Sequence, residues 1–461
     1  MAEPAAIVDA DAKRVRTIVY DALERNQSLP VVLTKLDVFG GHNTRDSFLK
    51  THIEDLISKP YTMSSLMAAL DYTTLKLDSF GIFSNISFAL DHAENSSKAY
   101  PPGVAPLSAE LHLQEAPSKK FRTGTEVGNG EVGGYLSGSL SNLFGGAESL
   151  TVDANINSLK QSTYAVNFSA PIKNSYLWKA DITGVQTSSE KEWASHVQAQ
   201  RGIRAKATGP GMFGGVQEIG YEAFWRTVTG IKNESSTTVR SEAGDTLKSS
   251  IFNTWQLDKR NDSAFPTEGY NLKIRNEAAG FVPNNKGDIK FMKGEVEGQV
   301  ARSFFRDNFT ISLTGRTGVL WSFLKDGKSN IVDRFVLGGS NDVRGFYLNR
   351  LGPSDEEDSV GGEAYATCGV SLFSKFPGLS KESPLRLHLF TNAGSLLALN
   401  RQNPRQTLKE LVSQPSISAG VGVIYVHQVA RFELNFTLPV AVRSTEFPRK
   451  GLQFGLGMSF L

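Results

Sequence analysis

The chain holds a single cysteine, Cys368, among its 461 residues. That count excludes an internal disulfide framework and a cysteine-based zinc site. Charge of neither sign is in excess: 49 Lys and Arg stand against 47 Asp and Glu, so the composition gives no bias toward nucleic acid or an acidic partner. No window comes near the ~18 uninterrupted apolar residues of a membrane-crossing helix. A barrel strand alternates and never builds such a run, so this lack leaves a membrane barrel open. Also missing is a positive N-terminal stretch followed by an apolar core and a small-residue cleavage site. A bacterial envelope protein needs that export signal, and synthesis in a eukaryotic cytosol is the expectation. Val8–Leu23 can form an amphipathic helix with Val15, Val19, Ala22 and Leu23 on one side. Lys13, Arg14 and Arg16 would suit a matrix-targeting presequence, but Glu3, Asp9, Asp11, Asp21 and Glu24 are too many acids for one. Residues 1–28 therefore read as a helical extension. The seven His form no ligand cluster at metal spacing, and no nucleophile motif, phosphate loop or paired carboxylates stand out. The expectation is a protein that is not an enzyme, with no catalytic residues, no metal and no cofactor.

What is present falls into two regions of different period. Val31–Phe39 is a β-branched run ending at the turn signal Gly40-Gly41. Thr44 offers an N-cap to a helix carrying Leu49, Ile53, Leu56 and Ile57, which Pro60 ends. A second helix from about Thr62 places Leu66, Leu70, Thr73 and Leu77 on one face, and Gly81 breaks it. Ile82–Leu90 and Leu107–Gln114 read as strands around a Pro-rich loop. Strand, helix, helix, strand, strand describes a small α+β unit with both helices on one face of a three-stranded sheet, over 29–118.

From about Phe121 the helical period disappears. Leu150, Val152, Ala154 and Ile156 alternate with polar residues, as do Phe309, Ile311 and Leu313, and Phe432, Leu434, Phe436 and Leu438. In the last strand Leu452, Phe454, Leu456, Met458 and Phe460 share one face, opposite Gln453, Gly455, Gly457 and Ser459. Runs of about ten residues suit a tilted strand crossing hydrocarbon and exceed the five or six usual in a soluble sandwich. Charge well inside the strands, as at Glu295, Glu297 and Gln299, suits a wet lumen better than a sandwich face. About sixteen such segments are expected, and an open edge in lipid would strand unpaired backbone groups, so the sheet must close. The fold class is mainly β: a sixteen-stranded antiparallel transmembrane barrel over 119–461 behind one α+β domain. Gly128-Asn129-Gly130-Glu131-Val132-Gly133 matches a dinucleotide fingerprint, but a strand pattern rather than a helix follows it. The acidic run Asp355–Asp358 reads as a solvated stretch of loop.

Two features carry a family resemblance over about Val31 to Leu461. The N-terminal unit, with its Gly-Gly turn and Gly81-Ile82-Phe83, resembles a POTRA (polypeptide-transport-associated) domain. Between the expected eleventh and twelfth strands, Gly338-Gly339-Ser340-Asn341-Asp342-Val343-Arg344-Gly345-Phe346 resembles the long-loop signature of the outer-membrane barrel-assembly superfamily. Gly361-Gly362 and Phe390-Thr391-Asn392-Ala393-Gly394 match further family positions. The resemblance implies that the connection near 331–362 folds into the barrel and that Arg344, in the motif Val343, Arg344, Gly345 and Phe346, reaches the wall. Asn392 and Ser371 stand where relatives carry acids, so the expected loop partners are Asn392 and Gly394, with Glu363 as a substitute. One POTRA unit without an export signal resembles the mitochondrial sorting-and-assembly branch.

That branch implies an insertase in the mitochondrial outer membrane, with its POTRA unit in the intermembrane space. The implied lateral gate lies between the first strand (Phe121, Arg122, Thr123, Gly124, Thr125) and the last (Gln453, Gly455, Met458, Phe460). A substrate's final strand would pair there by strand addition. Implied partners are outer-membrane lipid, β-barrel precursors such as porin and peripheral accessory subunits, but not nucleic acid. Intermembrane-space chaperones and the cristae-organising complex are further candidates. Two other readings stay open in the sequence: an outer-membrane pore for polypeptide or solute, and a soluble β-rich binding protein.

Overall fold

The structure is a computed structural model that describes residues 25–57, 59–93, 101, 103–128, 131–157, 161–280, 288–324, 327–379, 383–427, 431–457 and 460–461. The expected helix over Val8–Leu23 lies outside these residues. The chain divides into two compact units. The first runs through Lys120 and includes Ser139–Leu150 and Ser169–Lys179; the second takes the remainder.

In the first unit, β1 (Pro30–Gly40), β2 (Pro60–Thr62), β3 (Phe83–His92) and β4 (Ala105–Glu115) form a four-stranded sheet in the order β2-β1-β4-β3. β1 and β4 are parallel, and the two outer pairs are antiparallel. The sequence predicts three strands; the fourth is the tripeptide after the first helix, where Pro60 and Tyr61 extend beside Val31 and Val32. A proline suits this edge because it has no N–H to give a ladder. The helix Met63–Asp78 starts at Thr62 with a reciprocal cap: Thr62 accepts from the Ser65 N–H, and Ser65 accepts from that of Thr62. Its buried Leu66, Leu70, Thr73 and Leu77 are the residues expected to form one face.

The helix Asp46–Ile53 departs from expectation at its start. Its N-cap is Arg45 with no side-chain cap, because the Thr44 hydroxyl is turned away to donate to Glu115 Oε1 at 3.1 Å. Leu49, Ile53 and Leu56 are buried beneath it as expected. His52 sits against the Phe48 and Phe80 rings, and burial holds its imidazole below the ordinary pKa, with Lys76 adding to the shift.

Sixteen strands follow in one sheet, ordered without crossover from Lys119–Gly128 to Gly451–Gly457. The ladders described from the sixth strand (His196–Pro210) onward are all antiparallel. Burial across this sheet is inverted relative to a soluble protein. In the fifteenth strand (Arg431–Ala441), Phe432, Leu434, Phe436 and Leu438 are exposed while Arg431, Glu433, Asn435 and Thr437 are buried. Leu452, Phe454, Ile311 and Leu313 repeat the outward pattern. Apolar groups outside and charges inside are what lipid around a polar lumen demands. No described helix is long and apolar enough to cross a membrane.

The longest connection, 323–363, joins the eleventh strand (Phe309–Ser322) to the twelfth (Ala364–Lys375). Its Phe335, Leu337, Val343, Phe346 and Leu351 form one buried apolar cluster with wall residues that include Phe291, Leu320, Tyr365 and Leu396. The loop thus completes an apolar core together with those wall residues. Within it, Asp358 is buried rather than solvated as expected, and Asp355 is half-buried. Asp358 accepts from the Ser236 N–H at 2.7 Å, and Asp355 accepts from both the N–H and the hydroxyl of Thr238. Both carboxylates serve the N-terminal turn of the short helix Thr237–Ser241, leaving Glu356 and Glu357 exposed. These bonds hold the Asp355 carboxyl below its usual range.

Candidate functional site

The glycines of the loop signature make its path possible. Gly338, Gly339 and Gly345 all have positive φ, and a Cβ on Gly345 would stand 2.9 Å from that of Ser418. Asp342 closes the turn by accepting from the Gly338 N–H at 2.9 Å. This aims Val343, Arg344 and Phe346 at the wall, each with 0% exposure.

Arg344 finds a carboxylate that sequence reasoning missed. Its Nε and Nη2 donate to Glu433 Oε2 at 3.1 and 2.9 Å, and its Nη1 donates to the main-chain oxygen of Leu461 at 2.8 Å. The guanidinium lies 4.9 Å from the Phe390 ring centre. Glu433 is itself fully buried and is shared with Arg431 and with the Asn435 amide. Asn435 continues to His388 Nδ1 at 3.0 Å, and His388 Nε2 meets the Ser371 hydroxyl at 3.0 Å. The Phe373 and Phe390 rings stack on either side of that imidazole. Two cations around one buried carboxylate, with the Asn435 amide bonded to it, make a site that holds rather than reacts.

The expected loop partners divide accordingly. The Asn392 amide donates to the Asp342 carbonyl at 3.2 Å, so it holds the loop two residues before the arginine and not the arginine itself. Gly394 gives room to Val343, whose methyl would lie 2.7 Å from an added Cβ. Glu363 is no partner of Arg344: its carboxylate accepts from the Leu399 N–H at 2.9 Å and braces the next connection.

The gate residues are placed as follows. Phe121, Arg122, Thr123 and Thr125 are all exposed in succession, in contrast to the alternation of the fifteenth strand. Thr123 donates to the Tyr135 carbonyl at 3.1 Å, and the Tyr135 ring fills the space where a Cβ of Gly124 would be. In the last strand Gln453 points inward and clasps the loop, accepting from the Gly345 N–H at 2.9 Å and donating to the Phe346 carbonyl. Gly455 lies beside Asn341, which donates to the Leu456 carbonyl at 2.8 Å. Met458 lies outside the described residues. Phe460 corrects the expectation: it is buried rather than outward on the lipid face, with the Arg431 guanidinium 4.0 Å and that of Arg344 5.6 Å from its ring. Attraction between the ring face and two cations explains its inward position.

A sixteen-stranded barrel, apolar outside and polar within, with an arginine loop bound to its inner wall, defines a class of outer-membrane barrel. The chain belongs to the Omp85 superfamily, whose domain model matches residues 142–460. Its relatives narrow this. The SAM50-like protein of Schizosaccharomyces pombe is 36% identical over 96% of this chain and 93% of its own length. The sorting and assembly machinery component 50 homolog of Homo sapiens is 30% identical over 94% of this chain and 91% of its own. Among solved structures, BamA from Haemophilus ducreyi lacking POTRA domains 1–3 matches with a TM-score of 0.75 at 14% identity. That match spans 93% of this chain and 84% of the other, and carries the barrel fold.

Proposed function

We propose that this chain folds and inserts β-barrel precursors into the mitochondrial outer membrane, as the barrel subunit of a sorting and assembly machinery. Residues 1–28 form an extension, 29–118 a POTRA domain facing the intermembrane space, and 119–461 the barrel. A precursor such as porin pairs its final strand with the edge of Lys119–Gly128 after that edge parts from the last strand, and lipid receives the growing barrel sideways. Burial of the precursor's apolar face and completion of its ladder drive the step, so no cofactor and no bond-making chemistry are needed. Peripheral accessory subunits of the same machinery, intermembrane-space chaperones and the cristae-organising complex are its proposed partners.

The observation that carries this reading against a conducting pore is the loop. Val343, Arg344 and Phe346 are buried against the inner wall, and Val343 and Phe346 pack into an apolar cluster within the sheet. A pore gains nothing from such a filling, whereas a barrel that must part at its seam needs an internal brace on its last strands. The test follows labelled porin and a matrix-targeted precursor in mitochondria depleted of this chain. Porin stalled before integration, with matrix import intact, supports the insertase. Normal assembly of both overturns it.

A further inference from the structure

Eleven residues before the arginine, the same loop makes a second attachment of opposite sign. The Asp333 carboxylate takes two parallel bonds from Arg226, Oδ1 from Nη1 at 2.7 Å and Oδ2 from Nη2 at 3.1 Å. The Asp333 carbonyl accepts from Lys293 at 3.0 Å. Both side chains of the pair are buried, at 2% and 4% exposure. Arg226 belongs to a wall of paired charges: Lys248 reaches Glu222 at 2.9 Å, Glu277, and Asp333 at 4.0 Å, and Arg204 donates to Glu222 at 3.0 Å. Lys293 also lies 4.2 Å from the ring centre of Phe335, two residues along the loop.

The topology gives this pair its meaning. Arg226 is on the seventh strand, Val216–Thr229, and Glu433 is on the fifteenth. Eight strands apart in a ring of sixteen, they stand on opposite walls. Both strands are odd-numbered and run the same way. Arg226 is near the end of its strand, toward the long connections, and Glu433 is near the start of its own, toward the short turns. Between the two attachments the loop packs along the tenth to thirteenth strands through Phe335, Leu337, Val343 and Phe346, with an anion bound to one wall and a cation bound to the other. We propose that Asp333 is a second positioning residue for insertion. It fixes the loop to the seventh-strand wall through Arg226, so that rearrangement during insertion is confined to the wall that holds Glu433 and the last strand. This rests on the insertase reading.

The test uses the full chain in mitochondria, with porin assembly as the readout and resistance of the barrel to SDS at room temperature as the measure of folding. Asp333→Asn is expected to leave a folded barrel and to slow assembly about threefold to tenfold. The second variant combines Asp333→Cys and Arg226→Cys in a Cys368→Ser background. It is expected to be equally slow and to recover toward wild type when a short bismaleimide joins the two thiols, because a static anchor works as well when covalent. A structural contact that must release during insertion would instead be blocked by that link. Unimpaired assembly by the double-cysteine variant, or assembly that stays slow or stops once it is linked, overturns the proposal, including where Asp333→Asn fails to fold. If wild-type chain makes no difference to porin assembly, the insertase reading fails. If assembly depends on the chain but not on Asp333, this inference alone falls.

Discussion

At the scale of the residue, the buried charges around Glu433 decide what the loop can tolerate. Glu433→Gln leaves Arg344 and Arg431 facing a neutral amide in a desolvated site, at a cost of about 3–5 kcal/mol. The expected outcome is a lower temperature for the shift from folded to unfolded mobility in SDS. Arg344→Lys keeps the charge but loses the fork that serves Glu433 and Leu461 together, so its loss should be smaller but clear. Gly345→Ala meets both a φ of +87° and the Ser418 side chain, and should cost about 1–3 kcal/mol in the same assay. Arg344 was legible in the sequence because its neighbours form a contiguous pattern. Glu433 was not, because alternation says that Arg431, Glu433, Asn435 and Thr437 all face the lumen but not which of them lies level with a loop about ninety residues earlier. The available signal was a lone carboxylate among the inward residues of an otherwise neutral or basic strand, since a buried anion needs a cation.

At the scale of the element, the N-terminal helices show where local rules suffice. Thr62→Ala removes the half of the cap on Met63–Asp78 in which the Thr62 hydroxyl accepts from the Ser65 N–H, and should destabilise that helix by about 1 kcal/mol, seen as faster amide exchange in its first turn. The same rule misplaced Thr44, because a long-range bond to Glu115 outcompeted the cap, and no local pattern reports a partner 71 residues away. Pro60–Thr62 went unread as a strand because three residues carry no alternation to detect. His52 gives the first unit a pH dependence. Its folded pKa lies below the unfolded value of about 6.5, so the unfolded state binds the extra proton and stability falls as pH drops from 6.5 through the folded pKa. Exchange in Asp46–Ile53, corrected for its intrinsic pH dependence, should accelerate over that window in the wild type. It should not do so in His52→Gln.

At the scale of the whole molecule, the strand count and the inside-out burial were both readable, because a period of two and a length near ten recur along the chain and lipid leaves few other uses for them. The inward position of Phe460 was not, since alternation groups it with the outward Leu452 and Phe454, whereas its ring lies against the Arg431 and Arg344 guanidinium groups. The single cysteine tests the larger claim without mutagenesis. Cys368 lies on the twelfth strand, exposed between the buried Thr367 and Gly369, with the outward residue Val370 two positions on. In a membrane that face meets hydrocarbon, where a charged maleimide cannot reach it. The expected outcome is no labelling by a membrane-impermeant maleimide in intact or carbonate-washed membranes, and full labelling after unfolding in SDS. Labelling in the intact membrane would mean that Cys368 faces water and that the sheet does not present its apolar side to lipid. The exposed Phe432, Leu434, Phe436 and Leu438 would then require a protein partner instead of a bilayer.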